Sequence, residues 1–305
     1  MKIKEVFSRI NIAEFYTISI LMLYSIMAII FFHTSNNIKL HLLENLIIIS
    51  FILTISQIKS ENKSYIFFRK FYLLSFVYLI YNQTHSYIPL INPNLYDNLL
   101  IKLDYAIFGC NPTDCTMKIV NPYLTEYFQF CYMTFFFMPV IHGVELHLHR
   151  RDFEFDILLR NILFGFYLSY LLYFIMPAVG PRFTLYDFSL LQQELPGILL
   201  TDFFRNVVNA GGGIINSTIA PALQVNRDCM PSGHTMMTLI NITLAFKFKS
   251  RLRYVFLIFG SSLIFATIYL RYHYVVDLIA GALCFVISMH SEKVISKHVK
   301  LPSSP

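Results

Sequence analysis

Long apolar runs separated by short polar connections organise this chain from end to end. Stretches of about 20 mostly apolar residues, enough to cross a bilayer as helices, fall at roughly 13–33, 42–58, 65–83, 127–145, 157–177, 232–248, 254–271 and 274–291. The pattern predicts an all-α, polytopic membrane helix bundle of about eight transmembrane helices. The first run, Ile12 to Phe32, exceeds the apolar core of a signal peptide and no small-x-small cleavage site follows it, so it is expected to stay as a span. The rest of the chain lies mainly in two long connections, about 84–126 and 178–231, with no soluble domain, repeat or low-complexity region.

Composition agrees, since 56% hydrophobic against 14% charged residues lies outside the range of ordinary soluble domains. The basic residues then orient the spans. Lys2, Lys4 and Arg9; Lys59, Lys63, Arg69 and Lys70; Arg150 and Arg151; Lys247, Lys249, Arg251 and Arg253; and Lys293, Lys297 and Lys300 all fall on one side, 16 of the 24 Lys and Arg. Basic residues stay preferentially cytoplasmic, so both termini are expected in the cytoplasm and the long connections on the non-cytoplasmic, periplasmic or lumenal, side. The net charge of +6 is spread over loops beside anionic lipid and needs no nucleic-acid partner. With Trp absent, the Tyr residues must supply any aromatic belt, and Tyr269, Tyr272 and Tyr274 fall where the outer one is expected.

Candidate chemistry gathers at span ends on that outer side. Asp228-Cys229-Met230 leads into Pro231-Ser232-Gly233-His234 at the start of the sixth span. The first-turn amides, including that of Gly233, together with the Ser232 hydroxyl can bind an anion there; a polar cap with an interfacial histidine is the plainer reading. Arg271-Tyr272-His273-Tyr274-Val275-Val276-Asp277 follows some forty residues later. On a helix, His273 and Asp277 would share one face, close enough for the carboxylate to hold the imidazole, whether as a structural pair or a catalytic one. At the end of the fifth span, Gly180-Pro181-Arg182 sets a guanidinium just beyond the membrane, where it can meet phosphate or merely lipid head groups.

In this order, Arg182, then Pro231-Ser232-Gly233-His234, then His273 with Asp277, the motifs resemble the type 2 phosphatidic-acid phosphatase superfamily of membrane lipid phosphatases and phosphotransferases. The upstream Leu103-Asp104-Tyr105-Ala106-Ile107-Phe108-Gly109 with Asn111-Pro112-Thr113, and the Tyr269-to-Tyr274 and Gly180-Pro181-Arg182 forms, resemble the branch of inositol phosphorylceramide synthases and their bacterial relatives. The resemblance runs from about residue 65 to 291. It implies a six-helix phosphatase-type core over 63–292, two additional N-terminal transmembrane helices over 1–62, and a short cytoplasmic tail over 293–305. It also implies His273 as nucleophile, Asp277 as its orienting carboxylate and His234 as the acid for the leaving oxygen. Arg182, Ser232, Gly233 and Arg271 would bind phosphate. The reaction so implied is cleavage of a lipid phosphate ester or pyrophosphate through a phospho-histidine, with water or an alcohol as acceptor; transfer of an inositol-phosphate-type head group to a lipid is the alternative.

The chain departs from the superfamily pattern at three phosphate-handling positions, having Ile175 for a lysine, Phe183 for a proline and Thr267 for an arginine. Arg271, four residues after Thr267, and Arg227, seven before His234, are the expected substitutes. Two other classes remain open: a metal site built on the two histidines and Asp277, which neighbouring arginines disfavour, and a transporter or scaffold without catalysis. No cofactor is expected, and Gly211-Gly212-Gly213 reads as a flexible turn rather than a nucleotide loop, because no Lys-Ser/Thr follows. Cys110, Cys115 and Cys229 share the outer side with no assignable pairing, while Cys131 and Cys284 read as packing. Glu14, Glu126, Glu145 and His142 are expected to be solvated at span ends, and Asn241 and Thr243 to make polar contacts inside the bundle. The sequons Asn82-Gln83-Thr84 and Asn216-Ser217-Thr218 have meaning only in a eukaryotic host.

Overall fold

The computed structural model describes residues 9–214 and 220–299. Lys2, Lys4, Lys300 and the sequon at 216–218 lie outside them. Among the described residues every regular element is helical and no strand occurs, as the apolar pattern predicts. Contacts divide the chain into two compact units.

The first unit comprises residues 1–91, 143–170 and 287–305. Helices α1 (Ile12–Ile30), α2 (Asn36–Gln57) and α3 (Lys63–Ile91) follow one another. Asn11 starts α1 through a capping box: its side chain accepts from the Glu14 amide while the Glu14 carboxylate accepts from the Asn11 amide. Glu14 is not solvated as expected but fully buried, accepting from the Tyr72 hydroxyl at 2.9 Å with Arg69 Nε at 3.5 Å. A carboxylate removed from water needs such partners, and the cap supplies the first of them. Met22, Ile26, Ile29 and Ile30 on α1 and Leu40, Leu43 and Ile47 on α2 are exposed, the surface expected of helices that face lipid.

The second unit comprises Asn92–His142 and Leu171–Val286. It contains α4 (Asp97–Phe108), α5 (Pro112–Met117) and α6 (Pro122–Met133). A 3₁₀ turn over Thr134–Phe136 leads into α7 (Phe137–Leu148), which from Gly143 on belongs to the first unit, as does α8 (Asp152–Leu172) up to Tyr170. The second unit continues with α9 (Thr201–Gly211), α10 (Gly233–Lys247), α11 (Arg253–Tyr269) and α12 (Val275–His298) up to Val286, with single turns at Pro181–Thr184 and Leu191–Glu194.

Helices overlap all eight predicted runs, but among the described residues only α1, α2, α8 and α12 are each long and apolar enough to cross a membrane, and α11 is shorter. The run at 127–145 is broken between α6 and α7. Pro139 lies in the first turn of α7, where a missing amide costs nothing; further along one continuous helix it would leave a carbonyl unpaired. The Tyr belt also requires correction, because Tyr269, Tyr272 and Tyr274 are buried, not lipid-facing. Tyr269 and Tyr272 pack with Phe128, Tyr132, Leu191 and Leu195 in the unit's core.

Polar groups near the helix ends are likewise more engaged than expected. His142 is buried with Nδ1 3.0 Å from Asn241 Oδ1, while Thr243 faces outward instead of into the bundle. Glu126 accepts from the amides of Ile198, Leu199, Leu200 and Thr201 and from the Thr201 hydroxyl, at 2.6 to 3.3 Å. It therefore caps α9 from another helix. Glu126→Ala is expected to destabilise α9 by about 1–2 kcal/mol, read as faster proteolysis between residues 195 and 212; unchanged cleavage would deny the cap any weight.

Candidate active site

Ser232 opens α10, with its hydroxyl accepting from the Thr235 amide at 3.2 Å and the Thr235 hydroxyl at 3.1 Å. The hydroxyl is thus fixed as a cap with its own hydrogen left to donate. The Ser232 amide donates to the Asp277 carbonyl at 3.0 Å, which ties this turn to the start of α12. Gly281 makes that approach possible, since a Cβ there would stand 2.5 Å from the Ser232 carbonyl oxygen. Gly233 and His234 form the first turn of α10, where helix amides lack intrahelical acceptors.

The second histidine reaches the same place by a route that sequence spacing does not describe. α11 ends at Tyr269, Arg271 adopts the left-handed region at φ 63°, and the amides of Tyr272 and His273 both donate to the Thr267 carbonyl. His273 therefore lies before α12, not on it. Its contact with Asp277 arises because Asp277 turns back to accept from the Tyr274 amide at 2.9 Å, in the manner of a capping box. Asp277 Oδ2 lies 3.3 Å from His273 Nδ1, and His273 Nε2 lies 3.4 Å from His234 Nδ1. If Nδ1 carries the hydrogen toward Asp277, the lone pair sits on Nε2, facing His234.

Cys229 is a member of this group that sequence reading missed. Its thiol donates to Asp277 Oδ2 at 2.8 Å and stands 3.5 Å from His273 Nδ1. Burial, and next the Asp277 charge, push that thiol well above its ordinary pKa, so it remains a donor. The only signal in the sequence was its place two residues before Pro231.

Two further carboxylates, from α4, hold the loops that carry the site. Asp97 accepts from the Val179 and Gly180 amides and from the Tyr274 hydroxyl, at 2.9 to 3.2 Å. Asp104 accepts from the Val275 and Val276 amides at 3.0 and 2.8 Å, which are the first two of α12. A negative charge at a helix N-terminus is favourable, and here it fixes the residues next to His273. Asp104→Asn keeps one acceptor and loses the charge. It is expected to reduce turnover about tenfold with a fall in stability of about 1–2 kcal/mol; thermal unfolding and kcat measured together check this, and wild-type values for both would refute the clamp.

Arg182 follows Gly180, whose φ of 96° and whose space suit no larger residue, because a Cβ would come 2.6 Å from the Tyr272 carbonyl. The Arg182 guanidinium is buried between the rings of Phe183 and Tyr272, 4.6 and 4.7 Å from their centroids, and donates to Asn209 Oδ1 at 2.8 Å. Tyr272 packs at a tilt on Tyr132 at 4.5 Å between centroids and Tyr132 stacks on His234 at 4.7 Å, so a ladder of rings joins the arginine to the histidine.

The two expected substitutes for missing cations are placed otherwise. Arg271 lies past the end of α11, so it is not one helical turn beyond Thr267 as the spacing suggested. Its guanidinium pairs with Glu194 and lies 3.6 Å from the centroid of the Tyr186 ring, while its carbonyl accepts from the Arg182 amide at 3.0 Å. Arg227 donates to the Pro93 carbonyl at 3.0 Å. The structure thus brings together His234, His273 and Asp277, joins Arg182 to them through aromatic rings, and gives Arg227 and Arg271 partners of their own.

As a metal centre the group is poorly spaced. Cys229, His273 and Asp277 present atoms within 4.8 Å of one another. Two ligands of a tetrahedral metal stand roughly 3.5 Å apart, whereas Cys229 Sγ and Asp277 Oδ2 are 2.8 Å apart, at hydrogen-bonding distance.

A helical protein that holds two imidazoles and a carboxylate together, with an arginine joined to them through aromatic rings, has the groups that phosphoester chemistry uses. Residues 116–290, more than half of the chain, match the model of the PAP2 superfamily, and the chain belongs to that superfamily. No curated protein and no solved structure matches it.

Proposed function

We propose that this protein is a lipid phosphatase or phosphotransferase that works through a phospho-histidine on His273 at the non-cytoplasmic face of the membrane. The observation that carries the reading is the linear relay Asp277 Oδ2, His273 Nδ1, His273 Nε2, His234 Nδ1, with its two gaps of 3.3 and 3.4 Å.

In the first step His273 Nε2 attacks phosphorus, a P–N bond forms and the bond from phosphorus to the leaving oxygen breaks. His234 gives that oxygen a proton, and Asp277 stabilises the imidazolium. In the second step an acceptor oxygen attacks, the P–N bond breaks and His234 takes the acceptor's proton. Arg182, the Ser232 hydroxyl and the Gly233 amide stabilise charge on the equatorial oxygens. Arg271 joins them if phosphate displaces Glu194, and Arg227 if it leaves Pro93. The distribution of basic residues supports the non-cytoplasmic placement.

Within this reading, transfer of a head group to a lipid alcohol has one observation in its favour. The upstream motif that resembles the inositol phosphorylceramide synthase branch contains Asp104, and Asp104 clamps the start of the helix beside His273. To test both, purified protein is incubated with labelled phosphatidic acid, polyprenyl pyrophosphate and phosphatidylinositol, with and without a lipid alcohol. Released phosphate supports hydrolysis and a labelled product lipid supports transfer. No turnover of any member, with no acid-labile label on the protein, would refute the proposal.

A further inference from the structure

α9 has the wrong face outward for a helix in water. One stripe, Thr201, Arg205 and Asn209, is polar yet only 2%, 4% and 9% exposed. The Thr201 hydroxyl donates to Glu126 at 2.7 Å, Arg205 donates to the Leu195 carbonyl at 2.8 Å and to Asp202 at 3.3 Å, and Asn209 accepts from Arg182 at 2.8 Å. The stripe turned away from the protein is apolar: Phe203 is 61% and Val207 42% exposed, and Leu199 in the lead-in reaches 82% beside exposed Ile198 and Leu200. Asp202 and Asn206 form an exposed polar edge between the two stripes. A soluble amphipathic helix buries its apolar stripe and wets its polar one; this helix does the reverse.

We propose that Ile198–Leu200 and α9 form a membrane-surface anchor, with Leu199, Phe203 and Val207 seated among the acyl chains of the bilayer and Asp202 and Asn206 at the head groups. A lipid occupant is favoured because the apolar stripe runs on into exposed apolar surface of α6 and of the apolar helix α11. Phe203 touches Phe204 at 5.6 Å between centroids, Phe204 reaches Phe130 of α6 at 6.3 Å, and Phe130 reaches Phe259 of α11 at 6.2 Å. Phe130 itself is exposed, as are Val255 and Ile258 on α11. Apolar side chains on one edge with polar ones beside them match a helix lying in the interface. Since Asn209 on the opposite stripe holds the Arg182 guanidinium, the seat in lipid and the position of that arginine are joined through one rigid helix.

The chain contains no Trp, so Phe203→Trp in the full-length protein creates a single reporter, with Asn206→Trp on the polar edge as its comparator. Both are reconstituted into phosphatidylcholine vesicles, plain or brominated in the acyl chains. Phe203→Trp is expected to emit at shorter wavelength and to lose half or more of its emission to the bromines, while Asn206→Trp yields mainly to aqueous acrylamide. Val207→Trp, on the same stripe, repeats the measurement should Phe203→Trp fail to fold. Equal acrylamide quenching of the Phe203→Trp and Asn206→Trp reporters would overturn the anchor. So would a Phe203→Trp reporter shielded from both quenchers, the result expected if a second copy of the chain covered the stripe. The readout is fluorescence, so its failure is separate from any failure of the catalytic reading.

Discussion

His273→Ala is expected to lower turnover of a lipid phosphate by at least about a thousandfold, because removing a covalent nucleophile removes the reaction path and not merely one contact along it. Both ring nitrogens are committed in the folded protein, Nδ1 toward Asp277 and Nε2 toward His234. Of the two nearest groups, His234 at 3.4 Å is taken up in this reading by the leaving oxygen's proton, and Cys229 at 3.5 Å is kept a thiol by burial with its hydrogen directed at Asp277. The backbone at this position is held separately, by the His273 amide on the Thr267 carbonyl and by Asp104 on the next helix amides, so the variant is expected to fold and insert. Phosphate release and acid-labile labelling of the protein, measured side by side, are the checks. A variant that keeps full turnover, or that still takes up acid-labile label, would remove His273 from the nucleophile's role.

The helical spans were legible because lipid-facing surface demands long apolar runs, and those runs survive in the sequence whatever the helices later pack against. The pair of histidine motifs was legible for a similar reason, each being a short contiguous string. Less visible was the means by which His273 meets Asp277. A spacing of four suggests a shared helix face, yet His273 stands outside the helix and a back-turned carboxylate makes the contact. The roles of Asp97 and Asp104 were hidden by distance along the chain, since their partners are backbone amides at 179–180 and 275–276, and an amide has no sequence signature. For Arg271 the spacing suggested a shared helix face with Thr267, whereas its left-handed backbone lies past the end of α11 and its guanidinium pairs with Glu194. The buried tyrosines share that cause, because an aromatic residue near a membrane boundary can face lipid or the core and the sequence does not distinguish them.

Asp277→Asn is expected to reduce kcat by up to about ten-thousandfold while leaving the fold in place, the loss that follows when the carboxylate behind a catalytic imidazole is replaced by its amide. Asp277 Oδ2 receives the Tyr274 amide, the Cys229 thiol and the His273 ring, whereas Oδ1 has no hydrogen-bond partner among the described residues. An asparagine can therefore place its carbonyl oxygen where Oδ2 was, keep the helix cap, and set its amide in the space of Oδ1. The structural bonds survive and the charge does not. What is lost is stabilisation of the His273 imidazolium as the P–N bond forms, a cost that falls on the transition state and on kcat more than on substrate binding. Cys229→Ala makes a useful contrast, since it deletes one donor to the same oxygen but keeps the charge, and less than about tenfold should follow. A large fall in kcat for Asp277→Asn with KM nearly unchanged, beside a mild effect of Cys229→Ala, is the pattern required. Equal losses in the two variants would instead mean that Asp277 serves as a helix cap alone, and wild-type kcat in Asp277→Asn would detach it from the reaction.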